Sequence, residues 1–276
     1  MPQLITNKAI ARLVFASQYL KMKLVALALG SLLAAACSAQ STSNLVQRKE
    51  CVAQPPFVLA SGNSKPLVVL TEENPWLSVI GSDSPTFALY SNGEAIYRSG
   101  EGFKFIRLSE KEVRALLVDL DVGALSCLKG EYEASEATDQ PTETIVVNHG
   151  LKPTVVSVYG TPDKENVPVK FRTAYDRLRS FSHPAARDWL PAKIEVMIWP
   201  YEYAPEPSVI WPKDWPGIDD PATMKRGEDS YSLFVSSSDY PKLVRFLKTQ
   251  RERGAVEIGG KKWAVSYRFP FPDLKP

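Results

Sequence analysis

The chain has 276 residues, of which 44% are hydrophobic and 23% are charged, and its net charge is +2. These values are typical of globular proteins and exclude a mainly disordered, collagen-like or polytopic membrane protein. Residues 1–36 hold four basic residues and no acidic one, so the remaining chain is nearly balanced in charge and has no electrostatic footprint for nucleic acid.

The N-terminal region predicts export from the cytoplasm. Met22 and Lys23 are followed by an apolar run at 24–36, which is the pattern of a secretory signal peptide (1–36) with Met22 as the natural start. A helix of 13 residues covers about 20 Å, less than the ~30 Å hydrocarbon layer of a bilayer. We therefore do not expect an ordinary membrane-spanning helix here.

The apolar run ends in the sequence Leu33-Ala-Ala-Ala-Cys37, which resembles the lipobox of bacterial lipoproteins, although Leu33 stands one position further from the cysteine than usual. The resemblance implies lipid attachment at Cys37 and a flexible tether at 37–50. Ser38 is not the Asp of an inner-membrane retention signal, which implies an outer-membrane lipoprotein facing the periplasm. The alternative is a signal peptide that is cleaved at Ala36 and leaves Cys37 free.

The other two cysteines fit an exported protein. With Cys37 lipidated, Cys51 and Cys127 form an even pair in an oxidising compartment, which favours a disulfide. The chain-entropy model gives such a bridge ~4 kcal/mol of stabilisation. The alternative is two buried free thiols that pack as small hydrophobic groups.

The first half of the exported chain predicts strands with two helices. Alternating residues around Asn92-Gly93 predict a hairpin at 85–99. Ser109 and Glu112 form a capping box for a helix that Gly123 would end. The remaining predicted elements are a strand at 103–108, a hairpin at 144–159 that turns at Asn148-His149-Gly150, and a helix from Pro168 to about Phe181.

The second half repeats this order of elements. Its predicted elements are strands at 194–198 and 233–235, a helix capped by Ser238 or Asp239 and ended by Gly254, and a hairpin at 256–267 around Gly259-Gly260. Hairpins with helices between them favour an α+β fold with antiparallel sheets and three helices, in which strand–helix–hairpin occurs twice. The sequence predicts two α+β domains, at 51–182 and 192–276.

Two short motifs carry a family resemblance. The Leu-Tyr-x-x-Gly hairpin at 89–93 and the Thr-Asp-x-Pro-Thr strand entry at 138–142 resemble a group of uncharacterised secreted or lipid-anchored bacterial proteins. This resemblance implies a fold and a location, but it implies no activity, cofactor or catalytic residue.

The sequence offers little for catalysis. It lacks a Gly-x-Ser-x-Gly elbow, a His-Glu-x-x-His or Cys-x-x-Cys motif and a phosphate loop. A hydrolase would have to use His149 or His183, whereas the alternative is that both are solvated turn residues. The acidic stretch at 131–143 (Glu131, Glu133, Glu136, Asp139, Glu143) favours a solvated loop over a calcium site, because its spacing lacks a turn glycine. We predict no cofactor and no metal.

A segment rich in proline and aromatic residues is the best candidate for binding. Tyr201, Tyr203, Trp211 and Trp215 could present flat apolar faces to a glycan or a peptide, or they could cover a sheet as part of the core.

The other large aromatics, Trp76, Trp189 and Trp263, are predicted to lie in the core or at the domain junction. We interpret the chain as a lipid-anchored envelope protein that binds or scaffolds another envelope protein or a glycan. An envelope hydrolase is the alternative.

Overall fold

A computed structural model of the chain describes residues 64–149 and 152–274, which lie within the compact unit Glu50–Pro276. The predicted signal peptide, the tether, Cys37 and Cys51 lie outside these residues, so the predictions that depend on them stay predictions. The fold is α+β with two mainly antiparallel sheets, as the sequence predicted. In the described part of the chain, no helix is long and apolar enough to cross a membrane.

The first sheet has eight strands. Their bounds are β1 Pro66–Glu73, β2 Phe87–Tyr90, β3 Glu94–Ser99, β4 Gly102–Arg107, β5 Glu131–Glu133, β6 Thr142–His149, β7 Lys152–Tyr159 and β8 Arg187–Trp189. The strand order is β5-β7-β6-β1-β2-β3-β4-β8, and every pair is antiparallel except β5 with β7. Strand β8 was not predicted from the sequence. Pro184 and Pro191 lie on either side of it and interrupt the hydrophobic pattern on which strand predictions depend.

The second sheet has six strands. Their bounds are β9 Lys193–Pro200, β10 Val209–Ile210, β11 Met224–Lys225, β12 Tyr231–Ser236, β13 Val256–Ile258 and β14 Lys261–Arg268. The order is β10-β13-β14-β9-β12-β11, with a single parallel pair, β10 with β13. The two strands at its edges, β10 and β11, are only two residues long.

Within the described residues, four α-helices accompany the sheets: α1 Glu110–Asp119, α2 Val122–Leu125, α3 Val169–Arg179 and α4 Tyr240–Leu247. The capping box of α1 is confirmed, since Ser109 and Glu112 exchange their side-chain hydrogen bonds. The prediction that Gly123 ends this helix is wrong. Asp121 turns the chain with a φ of +47° and caps α2 through the amide of Ala124, so Gly123 lies inside a second helix.

The three predicted hairpins are present, but the second turns later than predicted, because Asn148 and His149 belong to β6 and pair with Pro153 and Lys152 of β7. In the first and third hairpins, glycine is required at the turn. Gly93 has a φ of +83°, and a Cβ at this position would lie 2.5 Å from the carbonyl oxygen of Leu108. Gly259 and Gly260 both adopt positive φ between β13 and β14. These conformations are strained for residues that have a side chain.

The two faces of the first sheet pack against different partners. On one face, residues such as Val68 and Leu70 pack under α1 and α3, where Phe171 is fully buried. On the other face, residues such as Val69 and Tyr90 share a second core with one face of the second sheet and with α4. Because side chains alternate along a strand, the remaining face of the second sheet carries other residues: a small cluster in which Met197 packs with Val79, and the residues that line a cleft.

Candidate functional site

A cleft of about 510 Å³ lies where β1 and β6 of the first sheet meet β9, β12 and β14 of the second; we call it the inter-sheet cleft. Its floor is formed by alternate residues of two neighbouring strands of the first sheet: Val69 and Thr71 of β1, and Val146 and Asn148 of β6. This size is sufficient for a small ligand or for one or two side chains of a partner.

The wall of the cleft is a row of residues across three strands. Phe234 of β12 lies opposite Glu195 of β9, which lies opposite Arg268 of β14. Arg226, just after β11, reaches back over Ser232 to the same carboxylate. The wall therefore combines one aromatic side chain with a cluster of paired charges.

The charged part of the wall is buried and internally satisfied. The side chain of Glu195 is 1% exposed, and its Oε2 accepts a hydrogen bond from Arg268 Nε at 2.8 Å. Its Oε1 accepts from the Ser232 hydroxyl at 2.6 Å and from Arg226. Burial alone raises the pKa of Glu195, but the hydrogen bonds from Arg268 and Ser232 and the two guanidinium charges lower it below its usual range. This carboxylate is therefore ionised at neutral pH.

One side of the rim is acidic. The Asp83 carboxylate accepts a hydrogen bond from the Asn74 amide at 3.1 Å, and Glu73 lines the cleft beside it. Burial raises the pKa of Asp83, and the charge of Glu73 raises it further against the lowering effect of the Asn74 hydrogen bond. The described lining thus holds three acidic residues and two arginines, a slight excess of negative charge.

The other side of the rim is the C-terminal segment 269–274. The Phe269 amide donates to Ser84 Oγ at 2.8 Å, and the Tyr90 hydroxyl donates to the Pro272 carbonyl at 2.9 Å. Phe271 packs edge-to-face on Phe103, with ring centroids 5.3 Å apart. These contacts fix the apolar rim, so the cleft is largely preformed.

The structure does not bring the four predicted aromatic residues together on one surface. Trp211 and Trp215 are buried, with their rings 4.9 Å apart and both packed on Phe246, and so belong to the core, which the sequence had left open as an alternative. Tyr201 packs on the small cluster around Val79, whereas Tyr203 is 89% exposed.

The prediction that Trp76, Trp189 and Trp263 lie in the core or at the domain junction is wrong for Trp76. This side chain is 68% exposed in the segment 74–85, where its backbone amide donates to Asn74 Oδ1. The hydrogen bond to Asn74 holds the backbone of this turn, and the indole extends into solvent. Trp263 is buried, and Trp189 packs edge-to-face on Phe271.

His183 belongs to a helix cap and not to the cleft. Its Nε2 lies 3.5 Å from Glu112 Oε1, while the Ser109 hydroxyl donates to the other oxygen of Glu112 at 2.6 Å. In a nucleophile–base pair the hydroxyl would bond to the imidazole instead. The side chain of His149 lies outside the described residues.

The acidic stretch 131–143 is not a uniformly solvated loop. Glu131 and Glu133 lie on β5, but Glu143 lies on β6 and is only 6% exposed, so its assignment to a solvated loop is corrected. Alternation along β6 places Glu143 on the same face as the buried residues Ile145 and Val147. Among the described residues, no group of three or more His, Cys, Asp or Glu side chains is arranged to hold a metal ion.

Cys127 lies exposed just after α2. Because its predicted partner Cys51 lies outside the described residues, the disulfide stays a prediction.

Sequence reasoning missed the inter-sheet cleft. The signal that was present is the pattern of β9, in which Glu195 interrupts the hydrophobic run at 194–200. A lone carboxylate in such a run needs a buried cationic partner. Comparison with protein-family models, curated proteins and solved structures finds no match to this chain.

Proposed function

We propose that this protein is a lipid-anchored, non-catalytic binding module of the cell envelope, and that its inter-sheet cleft binds an apolar group of another envelope component. The observation that carries the proposal is the cleft itself. It is a preformed concavity with apolar side chains on its floor (Val69, Val146), its wall (Phe234) and the rim segment 269–274, and with charged groups fixed at its wall and on the other side of its rim. Such a combination is typical of sites that bind without chemistry as well as of enzyme sites.

The chemistry of the wall favours binding over catalysis. Glu195 is a poor general base, because its pKa is lowered and both of its oxygens already accept hydrogen bonds. The Ser232 hydroxyl donates to that carboxylate, so its proton is already engaged with an acceptor whose pKa is too low to activate it. The described lining residues include neither a histidine nor a cysteine.

A fluorescence titration with Nile red, a neutral apolar dye, tests the proposal. We expect the full chain to bind the dye with a blue-shifted emission, because the cleft offers an apolar surface. The variant Thr71→Trp fills the floor of the cleft with a side chain that strands accommodate well, so it should weaken dye binding at least tenfold.

The matched control is Val118→Trp, which places the same indole at a position of α1 that is 77% exposed, on the other side of the first sheet and not part of the cleft lining. This variant should bind the dye like the unchanged protein. Equal binding by both variants would contradict the proposed site.

A further inference from the structure

One edge of β12 is only half covered. On that edge β11 pairs with β12 at two positions, Met224 with Ser232 and Lys225 with Tyr231. Within the described part of the chain, no strand continues this pairing along residues 233–236. On the opposite edge, β12 pairs with β9 over its whole length.

The backbone groups on this edge have a defined direction. The Arg226 amide donates to the Ser230 carbonyl at 2.8 Å, so Ser230 directs its backbone groups away from β9. In an antiparallel strand, every second residue directs its amide and carbonyl to the same side. Phe234 and Ser236 therefore direct theirs toward the open edge. The Ser237 amide, which points the other way, donates to the Ala192 carbonyl at 3.2 Å.

The open edge and the inter-sheet cleft meet at Phe234. This residue contributes its side chain to the wall of the cleft and its backbone to the open edge. A strand added beside Phe234 would direct alternate side chains to the face of the sheet that lines the cleft. Exposed strand edges are templates for an extended peptide, whose main chain supplies affinity while side-chain pockets supply specificity.

We propose that the occupant of the cleft is an extended peptide segment of a partner protein, which adds as a strand along Phe234–Ser236 and places an apolar side chain in the cleft. This inference rests on the proposed function. The slight excess of acidic residues in the lining, with Glu73 and Asp83 on one side of the rim, favours a neutral or basic segment over an acidic one.

The backbone of Ser236 allows a sharp test. Its φ is −59°, which proline adopts without strain, and its amide points to the open edge. Ser236→Pro removes that donor and places a ring where the added strand would lie. Ser236→Ala is the matched control, because it also removes the hydroxyl but keeps the amide.

The probe is the synthetic peptide acetyl-Lys-Val-Thr-Val-Thr-Val-Lys-amide, titrated into the full chain in detergent below its critical micelle concentration, with Nile red binding measured in parallel. We expect Ser236→Pro to bind the peptide at least tenfold more weakly than Ser236→Ala, with dye binding equal in the two variants. In the unchanged protein, the peptide should slow hydrogen exchange at the amides of Phe234 and Ser236, and a peptide N-methylated along one edge should not.

Each other outcome overturns the inference in a recognisable way. Equal peptide affinity of the two variants, or no binding of the peptide while the dye still binds, would leave the cleft as a binding site and exclude strand addition. Slow exchange at both amides before peptide is added would show that the chain's own residues cover the edge. Failure of the unchanged protein to bind Nile red would instead contradict the proposed function.

Discussion

Glu72 and Glu143 lie directly opposite each other on β1 and β6, on the face of the first sheet that packs under α3. Glu72 is well satisfied, since it accepts hydrogen bonds from the Tyr175 hydroxyl at 2.9 Å and the Thr86 hydroxyl at 2.5 Å, and Arg179 Nε lies 3.3 Å away. Glu143 has no such support: its Oε2 is buried without a hydrogen-bond partner in the described structure. Two adjacent carboxylates in this setting favour protonation of the less solvated one.

Because of the titration of Glu143, we predict that the free energy of unfolding falls as the pH rises. Burial, and then the charge of Glu72, raise the pKa of Glu143 to about 8. The folded state therefore binds a proton that the unfolded state releases near pH 4.5, so the free energy of unfolding falls as the pH rises between these values. We expect Glu143→Gln to remove a loss on the order of 4 kcal/mol between pH 5 and pH 9, measured by urea unfolding.

Glu131→Gln is the control for this measurement, because it removes an exposed carboxylate from the neighbouring edge strand. It should leave the pH dependence of the unfolding free energy nearly unchanged. If the free energy of unfolding of Glu143→Gln falls between pH 5 and pH 9 as much as that of the unchanged protein, Glu143 is not the titrating group.

The charge cluster at the wall of the cleft predicts a large effect of a single neutral substitution. Glu195→Gln keeps the shape of the side chain but leaves Arg226 and Arg268 without a counter-charge in a buried setting. We expect a loss of about 3 kcal/mol at pH 7. Because the pKa of Glu195 is lowered, its stabilising charge is present above pH 4.5 and is lost as the pH falls, so the difference between the two proteins should shrink in acid.

The exposed pair of Glu94 and Arg107 provides the comparison for Glu195, since Arg107 is 65% exposed. Glu94→Gln should cost less than about 1 kcal/mol. Similar losses in the two variants would mean that the wall cluster has no special role in stability.

Two substitutions in the aromatic segment are predicted to have very different effects on the free energy of unfolding. Trp211 is buried against Trp215 and Phe246, so Trp211→Ala should lower the free energy of unfolding by about 3–5 kcal/mol. Tyr203 is 89% exposed, so Tyr203→Ala should change it by less than about 0.5 kcal/mol. Chemical denaturation measures both, and a nearly neutral Trp211→Ala would contradict the packing described.

Lipid anchoring is tested by Cys37→Ser. Several acyl chains give stable anchoring, which a single substitution of the attachment residue removes. We expect the variant to leave the membrane fraction of the producing cells for the soluble fraction of the envelope. Unchanged membrane association would contradict the prediction that Cys37 carries the lipid.

Local chemistry explains which parts of the fold the sequence predicted. The hairpin at Gly93 and the cap at Ser109 depend on residues within a few positions of each other, so their patterns could be read directly. The end of α1 was missed because Asp121 adopts positive φ, which is uncommon outside glycine, and starts a second helix.

The cleft could not be predicted in the same way, because it depends on contacts between distant parts of the chain. Its floor comes from β1 and β6, whereas Glu195 and Arg268 of its wall are 73 positions apart. A two-residue edge strand such as β11 is too short to show a pattern in the sequence, although it positions Arg226 beside Glu195 in the wall of the cleft. Glu143 was recoverable, since its alternation with Ile145 and Val147 marks it as a residue of the core face.

The role of the inter-sheet cleft in binding is tested most directly by photo-cross-linking in the envelope of living cells, with benzoylphenylalanine introduced in place of Phe234 or of Tyr203. Phe234 lines the cleft, whereas Tyr203 is an exposed aromatic residue outside its lining. We expect a discrete adduct with one envelope component from position 234 and none from position 203. An adduct from position 203 with none from position 234 would place the binding surface elsewhere and contradict the role of the cleft.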